Sequence, residues 1–597
     1  MKKKFLSALL AGAVIASGTL TAFSSCGPKS SNNFEPEDKT KTQLYVGQEA
    51  NGYGEVWLEK IVEAFEDWAA DKHFEEDKTG VQVHISTRGF AGNTVMDTLP
   101  TSRVNVVFGE EIYFYDFVSK GVLMDVTEAT TTPLTEFGET ESIEDKMMIS
   151  APDLKKGLTG YDGNYYAVPW WTGLQGLNYD IDLFNDKKLF IKKGGSPSEY
   201  LRSGENVDEA VAGEFVAYKW GTQDDELAAG PDGKYDTYDD GLPATYEEFY
   251  ALCDKMKTQN IMPITWTGMY QYGNFIVGEM ARDFDGYESS RRDVELSGTA
   301  YNLIESYQTN PDGTIDWDSV TYMGGANGVE ITEKNGYLLA KTEGKLRALE
   351  FANTILDKGY ISENAFTGEF SHTAMQEYFL KAKYDTAFET AAMIAEGTWW
   401  YGQAANVFDS MEAAGYENAG KTDRKLGFLP YPKADVEHIG DAPTFRSRKS
   451  AFCFVNANIK DEGLKDAALA FYRFCHTDEA LKIFNSTTGG IRPFDFDYTE
   501  EEEAALGSYP LTTHALNKVA TIDHPYVASE LFMNNQSYFA NASYMLTTTI
   551  SDVGTALTNS FKTFKDYSKA TPSTFFDGIS AYYTKTSWDS KFSKWYK

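Results

Sequence analysis

The residues that could carry chemistry include an acidic loop, a few thiols and a large stock of carboxylates. The run 231–241 (PDGKYDTYDDG) places Asp232, Asp236, Asp239 and Asp240 on a stretch bent by Gly233 and Gly241, and clustered carboxylates on such a bend suit a hard cation such as calcium. The EF-hand pattern fails upstream, where Ala228 and Gly230 stand at positions that need ligand oxygens. A solvated acidic turn is therefore the expectation. Cys26, Cys253, Cys453 and Cys475 form no C-x-x-C pair and no cluster at metal-ligand spacing. Cys453 lies in the apolar run 451–455 and Cys475 in a helix-like run, so both read as buried free thiols, with a bridge between them as the alternative. No G-x-S-x-G, H-E-x-x-H, G-x-x-x-x-G-K-[ST] or G-x-G-x-x-G run is present, and the seven histidines are scattered. A glycoside hydrolase needs only two well-spaced carboxylates, which 89 acidic residues could hide, so missing motifs do not by themselves exclude an enzyme.

The elements that must position such groups follow from length and periodicity. A chain of 597 residues is too long for one core, and two lobes are expected. With 42% hydrophobic and 24% charged residues it has the composition of a soluble globular body, and nothing apart from the N-terminus could span a bilayer. Lys and Arg total 54 against 89 Asp and Glu, giving a net charge of −35; loss of Lys2, Lys3 and Lys4 with a leader would make it −38. That field repels phosphate backbones and anionic lipid, so neither nucleic acid nor a membrane held through the protein's own surface is an expected partner.

Residues 43–47 read as a strand, followed by a loop over 49–54 and a helix on which Trp57, Leu58, Ile61, Val62, Phe65 and Trp68 recur at helical spacing. Residues 81–86 alternate as a strand, and 104–108 form the continuous apolar run of a buried parallel strand, so an α/β fold is expected. Thr245 stands three residues before Glu248, a pairing that can satisfy free amides at the start of a helix running to about Met256. Further helices are expected over 461–476 and 478–484, and the run 499–503 (TEEEE) reads as a helix start rather than a functional acidic tail.

Lys2 to Lys4 form a positive n-region, 5–22 an interrupted apolar stretch, and Ser24 and Ser25 precede Cys26. This segment resembles a bacterial lipoprotein signal, which implies a signal peptide over 1–25, cleavage before Cys26 and a diacylglyceryl group on that cysteine. Phe23 departs from the usual leucine of such signals. The polar stretch 26–42 reads as a flexible tether, with folding from Gln43 onward.

Five stretches in order resemble the family 1 extracellular solute-binding proteins, the maltose-binding-protein-like components of carbohydrate ABC importers. They are 108–127 (FGEEIYFYDFVSKGVLMDVT), 163–184 (GNYYAVPWWTGLQGLNYDIDLF), 243–263, 391–401 (AAMIAEGTWWY) and 450–493, which ends in GGIRP. The resemblance implies a two-lobed α/β periplasmic-binding-protein-like fold with hinge segments and a ligand cleft between the lobes. It assigns 43–169 and 447–492 to lobe one, 170–430 and 493–597 to lobe two, and 431–446 to a hinge crossover, with insertions in lobe two over 185–242 and 290–344. It implies no catalysis, cofactor or metal, a monomer held to the extracytoplasmic face of the cell membrane by its lipid alone, an oligosaccharide or other small solute as ligand, and membrane permease subunits as partners. A lipid-anchored carbohydrate-active hydrolase or a polysaccharide-binding surface protein is the alternative.

A sugar ring offers an apolar face and a rim of hydroxyls, so its site needs aromatic planes and directed polar groups. In the positions that match the family, Trp399 and Trp400 follow a strand, Trp170, Trp171 and Gln175 occupy the crossover, and Tyr270 and Tyr272 fall in a lobe-two contact segment. On lobe one, Glu49 and Tyr53 follow the first strand, and Glu110, Glu111 and Tyr113 follow the strand ending at Phe108. If they lie on a strand, Trp399 and Trp400 point to opposite faces, one to core and one to cleft. Arg492 is expected either to fork onto hydroxyls or to pair with a carboxylate.

Overall fold

The computed structural model describes residues 36–49, 52–87, 89–92, 94–110, 112–148, 158–160, 162–199, 214–218, 227–267, 274–366, 370–447, 451–524, 529–535, 573, 576–578 and 583–596. Cys26 and the leader, Glu111, Tyr270 and Tyr272 lie outside them. The elements that position the site are, in chain order, β1 (Thr42–Gln48), α1 (Val56–Trp68), β2 (Val81–Ser86), β3 (Val106–Gly109), β4 (Val168–Pro169), β5 (Gln175–Asp180), α2 (Tyr246–Thr258) and β6 (Met262–Thr265). They continue with α3 (Asn274–Glu295), α4 (Glu343–Asp357), α5 (His372–Lys381), β7 (Ala391–Gly397), α6 (Trp400–Gln403), β8 (Leu426–Leu429), β9 (Thr444–Arg446), β10 (Phe452–Val455), α7 (Glu462–Phe474), α8 (Asp478–Thr488), α9 (Ser508–Val519) and β11 (Thr521–Asp523).

Two sheets organise the chain. The first has the order β2-β1-β3-β10-β4 and the second β8-β5-β7-β6. β1 runs parallel to both β2 and β3, while β10 closes against β3 and β4 antiparallel. In the second sheet β7 is central, antiparallel to β5 and parallel to β6, and all seven of its residues are buried. A strand covered on both faces must be apolar throughout, as 391–395 (AAMIA) is. Each sheet has its own apolar core: α1, α7 and α8 cover the first, and α2, α4, α5 and α9 contribute to the second. Helix α1 turns Trp57, Leu58, Ile61, Val62 and Phe65 inward as its spacing predicts, while Trp68 is only half-buried.

The described chain is therefore a two-lobed α/β fold. Three segments cross between the two cores. One joins β4 to β5, one joins β9 to β10, and the third follows α8, where Thr172 N–H donates to Ile491 O at 2.9 Å and ties the first and third crossings together. The second crossing is fastened by buried ions. Arg446, the last residue of β9, pairs with Asp523 of the parallel strand β11 (Nε to Oδ2, 2.7 Å), and Arg291 of α3 reaches the same carboxylate at 3.0 Å. Ser290 Oγ donates to Asp523 at 2.5 Å, and Arg446 N–H donates to Glu279, which in turn pairs with Arg282. Burial alone would raise the pKa of Asp523, but Arg446, Arg291, Ser290 and Arg282 hold it far below the ordinary carboxylate range.

The helix starting after Thr245 forms, but its first turn departs from the expected capping box. Thr245 Oγ1 accepts from Glu248 N at 3.4 Å, whereas the Glu248 carboxylate turns away and accepts from Ala244 N (2.8 Å), Ser198 N (3.1 Å), Ser198 Oγ (2.7 Å) and Ser196 Oγ. At the other acidic helix start the box is complete: Thr499 and Glu502 cap each other reciprocally. The expected helices after Asp461 and Thr477 run over Glu462–Phe474 and Asp478–Thr488. Cys253, Cys453 and Cys475 are buried free thiols, and no bridge joins Cys453 to Cys475.

The acidic loop is not a solvated turn throughout, because Asp239 is wholly buried. Its carboxylate accepts from Asp232 N at 2.9 Å and Thr237 Oγ1 at 2.7 Å, so the loop's own donors occupy it. Among the described residues no group of three or more His, Cys, Asp or Glu is arranged to hold a metal ion. Burial, then the neighbouring charge of Asp232, pushes Asp239 up to about 7.

These two carboxylates predict opposite pH responses. Asp523 stabilises the fold above the ordinary carboxylate range and loses that contribution as pH falls, so Asp523→Asn should cost about 3–5 kcal/mol in urea unfolding at pH 7, the loss typical of breaking a buried ion pair. Asp239 has a raised pKa, so its contribution is fully present only below about 4 and declines as pH rises towards 7. Asp239→Asn should flatten the fall in melting temperature between pH 5 and 8; an unchanged slope would show that Asp239 does not titrate in that window.

Candidate functional site

The ends of β1, β3 and β7 bring most of the described candidate residues to the junction of the two cores. After β1 the chain turns through Gly52 and Gly54, both with left-handed φ (79° and 73°), and Gln48 Nε2 closes the turn on Gly54 O at 2.7 Å. Glu49 N–H donates to Phe108 O, and its carboxylate accepts from Phe90 N at 3.1 Å, so it sits between the ends of β1 and β3. Glu110 follows β3 and is buried; its carbonyl accepts from Gly92 N at 2.9 Å. Tyr113 is half-buried at the start of the helix Phe114–Ser119. Burial, with the charge of Glu110 adding to it, holds the Tyr53 phenol well above its ordinary pKa although its bond to Thr398 opposes the shift.

The tryptophans separate by depth. Trp170 is fully buried, stacked on Trp57 at 5.3 Å, and its indole N–H donates to Gly109 O at 3.0 Å. It belongs to the first core. Trp400 is fully buried in the second, edge-on to Phe379 and Tyr509. Trp171 lies between, with its ring edge-to-face with Tyr53 (5.2 Å) and Trp399 (6.2 Å). Its indole N–H is buried without a hydrogen-bond partner among the described residues.

Trp399 is half-buried and packs against both cores. The expectation of opposite faces on one strand is corrected: β7 ends at Gly397, Trp399 is the N-cap of α6 and Trp400 its first residue. One ring is core and the other reaches the junction, but helix geometry produces the split. The Trp399 ring folds back over Gly397 so closely that a Cβ there would stand 2.1 Å from it. Only glycine leaves room for it.

Arg492 does not pair with a carboxylate among the described residues. It is 1% exposed, donates Nη1–H to Cys475 O at 2.5 Å, and lies over the Phe494 and Phe484 rings at 5.4 and 5.9 Å. Burial lowers its pKa to about 10, and its observed contacts are structural. Gln175 is buried at the start of β5, and its carbonyl accepts from the Tyr431 hydroxyl.

Sequence reasoning missed the polar groups at the far end of β7. Thr398 Oγ1 meets Tyr53 OH at 3.2 Å. Glu396 is buried, with Gln376 Nε2 at 3.1 Å; Gln376 also donates to Gln403 (2.7 Å), which meets His372 Nε2 at 3.3 Å. The signal was present in 391–397 (AAMIAEG), where a carboxylate interrupts a run that is otherwise apolar or glycine. Together these groups offer aromatic edges, carboxylate acceptors and the open Trp171 indole donor, a set suited to holding a polar solute with an apolar face.

The family described as "Bacterial extracellular solute-binding protein" matches residues 69–505 of the 597. No curated protein matches the chain. Among solved structures, a maltose-bound T. maritima protein, MalE3, is 13% identical with a TM-score of 0.48, covering 91% of this chain and 99% of its own. A protein from a study of xylan utilization by Caldanaerobius polysaccharolyticus is 11% identical with a TM-score of 0.49, covering 90% and 99%. The GacH receptor of Streptomyces glaucescens is 13% identical with a TM-score of 0.46, covering 91% and 97%. On the match over 69–505, this chain belongs to the bacterial extracellular solute-binding proteins, a family of binding proteins that work outside the cytoplasm.

Proposed function

We propose that this solute-binding protein captures an oligosaccharide between its two lobes and delivers it to the permease of an ABC importer. The observation that carries the reading is the position of Trp399: half-buried, in contact with both cores, and close to Trp171, whose indole N–H is open. A hydroxylated ring can lay its apolar face on such an indole while its rim meets Glu49, Glu110 and Tyr113. Glu111, Tyr270 and Tyr272 join this set by family resemblance. Trp170, Trp400, Gln175 and Arg492, all buried, hold the frame behind it.

In this reading lobe one comprises 43–169 and 447–492, lobe two 170–430 and 493–597, and 431–446 is the hinge crossover; the existence of two separate cores supports the division, although Trp170, Trp171, Phe494 and Phe496 pack in the first core and Ile491 in the second. Ligand contacts made by both lobes favour the closed form, which the permease recognises. The leader 1–25 directs export, and Cys26 carries the lipid that tethers a monomeric domain through 26–42 to the extracytoplasmic face of the membrane.

A thermal-shift screen of the protein against mono- and oligosaccharides, amino acids and short peptides tests the ligand class. Saturation at a hundred times Kd should stabilise the fold by about 2.7 kcal/mol. Response to an oligosaccharide series supports the proposal; a response confined to peptides or amino acids, or cleavage of the sugar on long incubation, overturns it. Trp399→Ala should weaken binding of the responding sugar at least about tenfold, roughly 1.4 kcal/mol, by isothermal titration. Cys26→Ser should release the protein from the membrane fraction and abolish diacylglyceryl labelling; continued membrane association would show another anchor.

A further inference from the structure

Tyr53 is more than one aromatic among several. Its hydroxyl lies 3.2 Å from Thr398 Oγ1, although 345 positions separate the two residues in sequence. Tyr53 belongs to the first core, and Thr398 follows β7 of the second sheet, anchored by its amide to Leu174 O at 2.9 Å. The Tyr53 ring is 4% exposed and edge-on to Trp171 and Phe484, both at 5.2 Å. Its other surroundings are glycines at close range. A Cβ on Gly490 would stand 2.3 Å from the Tyr53 ring, and one on Gly402 would stand 3.3 Å from the Tyr53 Cα. A Cβ on Gly52 would stand 3.2 Å from the Trp399 Cβ. The 52–53 turn of one lobe is therefore seated directly on 398–402 of the other.

We propose that Tyr53 is a positioning residue whose hydroxyl fastens the two lobes to each other through Thr398, favouring the closed form before any ligand is present. The inference rests on the interlobe reading of function above. A second polar contact beside it acts in the same sense: Lys421, which precedes β8 of the second sheet, donates Nζ–H to Thr487 O of α8 at 2.9 Å, where a cation meets the last carbonyls of a helix. Neutral hydroxyl pairs exchange against water on opening, so the fastening biases the equilibrium by about tenfold and does not lock it. Because the same ring sits edge-on to Trp171, the fastening also fixes the angle at which Trp171 and Trp399 meet a ligand.

The test needs no ligand. Spin labels at two exposed positions, Asp71→Cys on one lobe and Glu417→Cys on the other, report the closed-to-open ratio of the full chain by electron–electron distance measurement; the native described thiols are buried. Tyr53→Phe and Thr398→Val should each lower that ratio about tenfold, the double variant no further because they share one bond, and Thr398→Ser should restore it. Melting temperatures confirm that each variant is folded. Identical ratios in the parent and in folded Tyr53→Phe overturn the proposal, as does a variant that loses ligand affinity with an unchanged ligand-free ratio, which would make Tyr53 a direct contact. Failure of every sugar to bind would sink the functional reading and leave this measurement intact.

Discussion

Three passages of the chain between two cores are the constraint on which the rest of the structure depends. A strand that ends in one sheet and resumes in the other fixes the separation of the two cores, and here the passages are coupled. The first and third are joined by Thr172 and Ile491, and β10 pairs with both β3 and β4. The second is held at its base by Asp523 and the arginines around it. Motion of one lobe against the other must be absorbed in a few backbone positions beside these anchors, since packed cores and buried ion clusters do not deform gradually. The aromatic junction lies where the passages converge, so a small rotation there changes the spacing of Tyr53, Trp171 and Trp399 together.

The charge balance has a similar division. The chain carries −35 overall, yet Arg282, Arg291, Arg424, Arg446, Arg473 and Arg492 are buried. Arg424 pairs with Asp180 at 2.5 Å and Lys433 with Asp283 at 2.9 Å, both inside the second lobe. Buried carboxylates, among them Asp180, Glu279 and Asp523, offset these inward cations, so the solvent-facing surface keeps the acidic balance of the composition. Such a surface stays dispersed in solution and approaches basic partner surfaces under favourable long-range attraction.

Much of the frame was legible in the sequence because periodicity reports burial directly. The helix carrying Trp57 and Phe65, the buried strand ending at Phe108 and the acidic helix start after Thr499 are local patterns with local causes. The site was legible in composition more than in geometry. Adjacent tryptophans at 399 and 400 announced a division between core and junction, but where β7 stops depends on Trp399 lying across Gly397, a contact no propensity encodes. The partner of Tyr53 stands 345 residues away, and the absence of a carboxylate beside Arg492 among the described residues is a fact of packing. Asp239 was misread for the same reason: its loop is polar by sequence, and only the fold buries it.

The turning of Glu248 away from its own helix has a consequence for the segment that precedes α2. Its carboxylate is satisfied by Ala244, Ser196 and Ser198, the two serines standing 52 and 50 positions earlier in the chain. Ser196 and Ser198 are thus wired into the polar interior behind α2 rather than appended to its surface. Removing the two serines would strip a buried anion of donors, and the loss would surface at the start of α2, distant in sequence from the change.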